Sequence, residues 1–450
     1  MDTSLRYEVG DSDVACRTYF DFSKEKGWLC AIEQCNGSGD CRKSYAFGGT
    51  MCPSFRATRE ESHTTRARAN TLRELITHPR TKKIYDQREI LEVLDTCVSC
   101  KACKSECPSN VDIARFKAEF LQQHYDVCGV PMKAFLIARL TEIQRLGTIL
   151  PWFYNAIVRN RMTGNMLKRI LHFAPKRTIP TLYKTTLKHW LGRYRRKNRG
   201  ETVGKVFLFA DEFTNYMDVE IGIKMIELLD WLGYEVIIPK HVESGRTAIS
   251  KGMLEVAKGV ARKNVLLLKD LVTENIPLVG IEPSCILSFR DEYPDLVGED
   301  LKEEAVRLGK NCLLYDEFFT REIRAGRIQA EQFTDQPLKI MLHGHCHQKS
   351  LASVEPSREM LSLPVNYSVE VIPSGCCGMA GAFGYEKKHY ELSMKIGEQV
   401  LFPAVRGAGE NVCISAPGTS CRQQIKDGTG KQALHPIEVL YEALKCTKEK

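Results

Sequence analysis

No apolar run in the 450-residue sequence approaches the roughly 18 residues that a membrane-spanning helix needs; stretches such as Val206–Ala210 have the length of core strands. Met1–Asp13 is polar and acidic and lacks the basic and apolar regions of a secretory signal, so the expected location is cytoplasmic. Neither G-x-G-x-x-G nor G-x-x-x-x-G-K-[ST] occurs, which excludes two familiar glycine-rich phosphate cradles. Acid is nearly missing from one segment. Between Pro131 and Gly200 sixteen Lys or Arg face the single Glu142, so this stretch carries +15 and leaves the remainder at −7 within a total of +8. Such a stretch is either a solvated helical linker or a docking surface for nucleic acid, anionic lipid or an acidic partner.

What is present is globular and rich in thiols. A 43% hydrophobic and 27% charged composition excludes a disordered or collagen-like chain. Eighteen cysteines are unexpected in a reducing compartment, where structural disulfides are rare. Their spacing accounts for them. Cys97-Val-Ser-Cys100-Lys-Ala-Cys103-Lys-Ser-Glu-Cys107-Pro108 follows C-x2-C-x2-C-x3-C-P, in which three thiolates wrap one iron–sulfur cluster and the fourth reaches another. Zinc ribbons use two separated pairs instead. The second cluster is expected upstream, where Cys35-Asn-Gly-Ser38-Gly-Asp-Cys41 keeps the frame with serine in the middle and Cys52-Pro53 follows a glycine-containing loop. The assignment is Cys97, Cys100, Cys103 and Cys52 on one cluster, and Cys35, Cys41 and Cys107 on the other. For the missing ligand the candidates are Cys30 and the Ser38 oxygen, with a three-iron cluster as the further alternative. Cys30 reads equally well as a small buried hydrophobe. Arg42, Arg56, Arg59, Arg66, Arg68 and Arg73 crowd this zone and would stabilise reduced clusters, although for any one of them a surface role is expected.

Helical spacing (Ile113, Phe116, Phe120) with a cap at Asn110 or Asp112 marks the first part as helical. Residues 131–200 read as short helices broken by prolines 151, 175 and 180. From about 203 the pattern becomes α/β. Strands are expected at Lys205–Ala210, Glu235–Pro239 and Pro277–Ile281, then again at Lys339–His343, Ser368–Ile372 and Asn411–Ala416, with a helix at Val219–Leu232. The two sets align as an internal repeat, Pro283-Ser-Cys285 opposite Thr419-Ser-Cys421. His343-Gly-His345-Cys346-His347-Gln348, Gly375-Cys376-Cys377-Gly378 and Gly418-Thr-Ser-Cys421 each follow a strand, and soft thiolates with imidazole select iron–sulfur or zinc. The first repeat has Asp211-Glu212 and Glu243-Ser244-Gly245 at the corresponding places and keeps only Cys285, so it reads as structural. Cys16, Cys128, Cys312, Cys413 and Cys446 read as structural or exposed thiols.

These strings, together with Thr-Arg-Ala-Arg-Ala-Asn and Gly-Cys-Cys-Gly-Met-Ala-Gly, resemble the iron–sulfur half of FAD-linked D-lactate and D-2-hydroxyacid dehydrogenases over about residues 5–445. The C-terminal repeats are similar to the CCG cysteine-rich domains of heterodisulfide reductase and of glycolate oxidase iron–sulfur subunits. The resemblance implies a multidomain fold: a leading segment (1–30), a mainly α di-cluster [4Fe-4S] ferredoxin-type domain (31–130), a basic helical linker (131–200), a degenerate CCG-like α/β repeat (203–330) and a CCG repeat (338–445). It implies a third cluster, or zinc, at Cys346, Cys376, Cys377 and Cys421, with Gly418 in place of the first cysteine of the family's C-x2-C pair. It implies an electron-transfer component that receives electrons from a flavin and delivers them to a quinone or cytochrome; the basic stretch 131–200 would suit docking to an acidic partner or to the inner face of the membrane, and no nucleic acid is expected. FAD is expected on a partner or a preceding domain, and no flavin-binding or catalytic residue is assigned here. The rival readings are a heterodisulfide-reductase-like thiol oxidoreductase and a non-catalytic redox sensor.

Overall fold

The computed structural model describes residues 17–78, 84–198, 200 and 202–445. Cys16, most of the leading segment and Cys446 therefore lie outside the described residues.

The first part is helical. It holds helices at Trp28–Glu33, Pro53–Thr58, Thr65–Thr77, Arg88–Asp95, Ala102–Glu106 and Ile113–Cys128. Thr64 caps the third of these by accepting from the Ala67 amide, and Asp112 caps the last by accepting from Arg115 N at 3.1 Å. Each satisfies an amide left without an intrahelical partner. Phe116 and Phe120 are buried with Phe20, Phe22 and Trp28. A fully buried phenylalanine contributes on the order of 2–3 kcal/mol.

Five helices follow in the basic segment: Met132–Ala138, Leu140–Gly147, Pro151–Arg159, Arg161–Ile170 and Leu187–Arg193. Pro151 opens its helix at the first turn, where its missing N–H costs nothing.

The remainder holds two parallel sheets. β1 (Gly204–Phe209), β2 (Tyr234–Ile237), β3 (Leu278–Gly280) and β4 (Cys312–Leu314) lie in the order β2-β1-β3-β4. β5 (Leu338–Leu342), β6 (Tyr367–Val371) and β7 (Val412–Ser415) lie in the order β6-β5-β7. In both sheets the earliest strand is flanked by the next two, so their connectivity is the same apart from the extra β4. The six anticipated strands occur with ends shifted by one or two residues, and the helix between β1 and β2 covers Val219–Trp231. Crossover helices cover the sheet faces, which is why β1 and β3 are apolar throughout their central residues.

The helical part does not stand apart from the sheets. Its core runs continuously into Ile249, Leu254, Cys346, Cys376 and Ile396. Lys101, 3% exposed, reaches from the Cys97–Cys103 loop to pair with Asp291 and Glu292, and Arg246 also pairs with Glu292. A buried cation is tolerated only with such partners.

Candidate metal centres

The Cys97–Cys103 loop is shaped by backbone that glycine normally supplies: Ser99 and Lys101 take φ of +49° and +62°. These left-handed residues fold the loop tightly around its sulfurs. Cys52, Cys97, Cys100 and Cys103 are all buried, although Pro53 begins a helix far away in sequence. Burial, and then the neighbouring Cys346, Cys103 and Cys52 thiols, push Cys100 well above its ordinary pKa; Cys103 is pushed up by burial, with Asp112 and Cys97 as neighbours. So many buried thiols become thiolates together only with a cation among them, and this donor set fits an iron–sulfur cluster.

Buried cations surround the group. Arg68, 1% exposed, donates from Nη1 to Cys52 Sγ at 3.2 Å and from Nη2 to Ser54 Oγ at 3.0 Å and Thr96 Oγ1 at 2.9 Å. Lys117 Nζ donates to the Cys97 carbonyl at 2.7 Å. Arg56 holds the Gly48 and Gly49 carbonyls at 2.7 and 2.8 Å, and Glu106 accepts from the Thr50 and Met51 amides on the other side. Gly49 takes φ of +69°, and a Cβ there would lie 2.7 Å from Glu106 Oε2, so this loop requires glycine. The surface role expected for each arginine of this zone holds for the exposed Arg42 and Arg59 and fails for Arg56 and Arg68, which are buried. Their spacing from the cysteines in sequence carries no sign of this.

Cys35 and Cys41 are buried and are electrostatic neighbours of one another, with Arg66 beside both. Cys107 is half-buried at the end of helix Ala102–Glu106. Cys30 is exposed and so is not a small buried core residue; Ser38 is exposed as well. Cys128 is exposed, Cys413 half-buried within β7, and Cys312 buried with its thiol directed at the Leu308 carbonyl.

The second group of thiols lies at the carboxyl ends of β5, β6 and β7, where parallel sheets place ligand loops. Cys346 opens helix Cys346–Leu351, Cys376 and Cys377 follow β6, and Cys421 sits in helix Thr419–Thr429. All four are buried. Cys376 is within hydrogen-bonding reach of Cys346 and Cys377, and Cys377 of Cys421 and His343. Hydrogen bonding from Cys376 holds Cys346 down at about 7, and hydrogen bonding from Cys376 and Cys421 holds Cys377 well below the ordinary thiol range. Lys349 Nζ, bonded to the Ser374 and Gly375 carbonyls, is the cation facing these thiols.

In the first sheet the corresponding loops bring Asp211, Glu212 and Cys285 within 4.8 Å of one another. Here the polar groups are satisfied internally. Asp211 accepts from the Phe213 and Thr214 amides, and Glu212 from Ser244 N and Oγ at 2.9 and 2.7 Å. Burial, with Glu212 nearby, raises the Asp211 carboxyl to about 8. A buried carboxyl, bonded to the amides of its own turn, occupies the place of the thiolates.

The two thiol groups meet. Cys100 and Cys346 are electrostatic neighbours, His347 Nε2 lies 3.0 Å from the Ser99 carbonyl, and Ser350 Oγ donates to the Cys100 carbonyl at 3.1 Å. Nothing in the sequence pattern signals this contact, since its partners are nearly 250 residues apart.

Residues 34–112 match the 4Fe-4S dicluster domain family, which supports iron–sulfur clusters in this part of the chain. Over nearly its whole length the chain is homologous to D-2-hydroxyglutarate dehydrogenase of Escherichia coli, with 26% identity across 93% of this chain and 44% of that protein. It is also similar to one of the subunits of the anaerobic glycerol-3-phosphate dehydrogenase of Escherichia coli (26% identity, 75% of this chain, 83% of that one). Lactate utilization protein A of Bacillus subtilis shares 27% identity over 52% of this chain and 98% of its own. The chain spans less than half the length of the D-2-hydroxyglutarate dehydrogenases it matches. The named dehydrogenases among these homologues are oxidoreductases, and this chain is related to them as an iron–sulfur component. No helix among the described residues is long and apolar enough to cross a membrane.

Proposed function

We propose that this chain is the electron-transferring iron–sulfur part of a flavin-linked D-2-hydroxyacid dehydrogenase of the D-lactate or D-2-hydroxyglutarate type. The observation that carries this reading is the contact between the Cys97–Cys103 loop and helix Cys346–Leu351, which sets one buried thiol group directly against another. All three relatives are named for a hydroxy compound or its use, and oxidation of a carbinol releases two electrons together. A flavin on a partner or another segment would accept that pair; iron–sulfur clusters carry electrons singly.

In this proposal Cys52, Cys97, Cys100 and Cys103 hold one cluster, and Cys35, Cys41 and Cys107, completed by Cys30, hold the other. The chain's own work is to bury Cys52, Cys97, Cys100 and Cys103 away from water, to supply Arg68 and Lys117 as fixed cations, and to hold the C-terminal thiols at short range. Delivery to a quinone or cytochrome is favoured by the surface of the basic segment. Leu146, Ile149, Trp152, Met162, Met166 and Ile170, on or beside three consecutive short helices, are each at least 61% exposed, with exposed Arg145, Arg159, Arg161 and Arg169 among them. Apolar side chains interleaved with cations suit shallow docking on an anionic membrane face.

The test is anaerobic co-purification followed by iron, sulfide and flavin analysis. Eight or more irons per chain, with flavin on a second polypeptide or domain and cluster bleaching on addition of a D-2-hydroxyacid, is the expected result. Two or fewer metals, mostly zinc, or a colourless preparation without acid-labile sulfide, overturns the proposal.

A further inference from the structure

We propose that the cleft at the carboxyl ends of β1 and β2 binds an organic phosphate bearing hydroxyl groups. The inference goes beyond electron transfer and concerns the repeat that lacks the thiol set.

The cleft has a volume of about 500 Å³, within the roughly 300–1,000 Å³ typical of small-molecule sites. Its walls are the loops after β1 and β2, helix Leu254–Leu268, and two helices of the basic segment, Leu140–Gly147 and Leu187–Arg193. Three cations line it from three separate helices: Arg145, Lys188 and Lys263. Among the described residues none of them forms an ion pair, although Glu243 is an electrostatic neighbour of Lys188. Asn215 anchors the Lys188 helix, its Oδ1 accepting from the Lys188 amide at 3.1 Å. Arg145 lies beside Tyr216, and Lys188 beside His241. A planar carboxylate serves two donors side by side, whereas the tetrahedral oxygens of a phosphate can meet cations carried on three elements.

A bare ion would not fill this space. Val242, Val256 and Val260 form an apolar part of the wall suited to an organic body. Gly259 stands in the middle of helix Leu254–Leu268, where glycine costs helix stability, and no atom outside its own helix backbone lies within 4 Å of where its Cβ would be. No packing neighbour asks for glycine there; the missing side chain leaves room in the cleft. His241 Nδ1 is committed to the Val242 carbonyl, so Nε2 keeps a lone pair, and it has no partner among the described residues. Of the carboxylates in the lining, Glu142 is drawn to Arg139 at 3.7 Å and Glu212 to Ser244, which leaves Glu243. Hydroxyl groups on the ligand donate to Glu243 and to the imidazole.

The phosphate can be that of a soluble nucleotide or of a lipid headgroup. Two probes separate these sources: adenosine monophosphate, and dihexanoyl phosphatidylglycerol below its micelle concentration. The experiment is calorimetric titration of the full chain with each at ~0.15 M salt, where screening beyond ~8 Å suppresses diffuse pairing with surface cations. One site per chain with a dissociation constant of ~1 mM or tighter is expected for at least one probe, with inorganic phosphate and glutarate at least tenfold weaker. Lys188→Gln should weaken binding at least fivefold, and so should Lys263→Gln, which lies outside the basic segment. Gly259→Leu, which fills the cleft from a position free of clashes, should abolish binding while the circular dichroism is unchanged. Binding of the nucleotide alone assigns a soluble ligand, and of the lipid alone a headgroup. Failure of both probes, equally tight binding of inorganic phosphate or glutarate, or undiminished affinity in Gly259→Leu overturns the assignment.

Discussion

Arg68 reaches sixteen residues along the chain to place its Nη1 3.2 Å from Cys52 Sγ, inside a region closed to water. A fixed positive charge against a cluster thiolate favours the reduced, more anionic state. The expected result for Arg68→Gln is a lower potential for the cluster held by Cys52, with the other cluster little changed. A hydrogen bond to a charged group is worth ~1.5–3 kcal/mol. At 59 mV per ~1.4 kcal/mol for one electron, the shift is on the order of 60–130 mV. An electron paramagnetic resonance redox titration measures it, and an unchanged potential would refute the role.

Ligand exchange between the two halves of the pattern is separately testable. Cys103→Ala and Cys52→Ser should abolish the same paramagnetic signal, whereas Cys41→Ala and Cys107→Ser should abolish the other. Cys30→Ser should leave a three-iron form of the second cluster. Loss of one signal from both Cys103→Ala and Cys107→Ser would remove the proposed crossing of ligands.

His241 gives a pH signature. It is 7% exposed, Nδ1 lies 2.7 Å from the Val242 carbonyl, and burial, with Lys188 nearby, lowers its pKa to about 3. The unfolded chain therefore takes up a proton near the ordinary value of ~6.5 while the folded chain stays neutral, so stability falls as pH drops from about 6.5 toward 3. Between pH 7 and 5 this one group should cost roughly 2 kcal/mol at most. Denaturant midpoints of the parent protein should fall over that interval more steeply than those of His241→Gln; parallel slopes would exclude the effect.

Docking of the basic segment on lipid should be visible with vesicles. The full chain is expected to float with phosphatidylglycerol-containing vesicles, far less with phosphatidylcholine alone, and to dissociate at 0.5 M salt, where the screening length is ~4 Å. Trp152, 68% exposed, should be quenched by brominated lipid. A triple Leu146→Gln, Ile149→Gln, Met166→Gln variant should bind at least tenfold less. Binding that ignores lipid charge, or that survives this variant, would point to another use of the surface.

What is legible in the sequence is what is local. Strands and the Asp112 cap depend on neighbouring residues, and their positions can be read within one or two residues. β4 escapes such a reading because Cys312–Leu314 is three residues long and its strand character comes from pairing with β3. The Cys97–Cys107 run announces its chemistry by spacing alone. Arg56 and Arg68 look like surface residues in a row of arginines; only tertiary folding buries them. His343 stands in a visible His-x-His-Cys-His string, yet its place among the thiols depends on β6 and β7 bringing Ser374, Cys377 and Cys421 to the same strand end.

The seam formed by Ser99, Cys100, His347 and Ser350 fixes more than proximity. Main-chain carbonyls of the cysteine loop are held by side chains of the opposing helix, and Lys101 locks the loop's far side to Asp291 and Glu292. Electrons following the proposed route would cross a gap of constant width with no swinging arm. Their hopping rate would then be indifferent to solvent viscosity, and any brake on turnover would have to lie at docking or at the hydroxyacid.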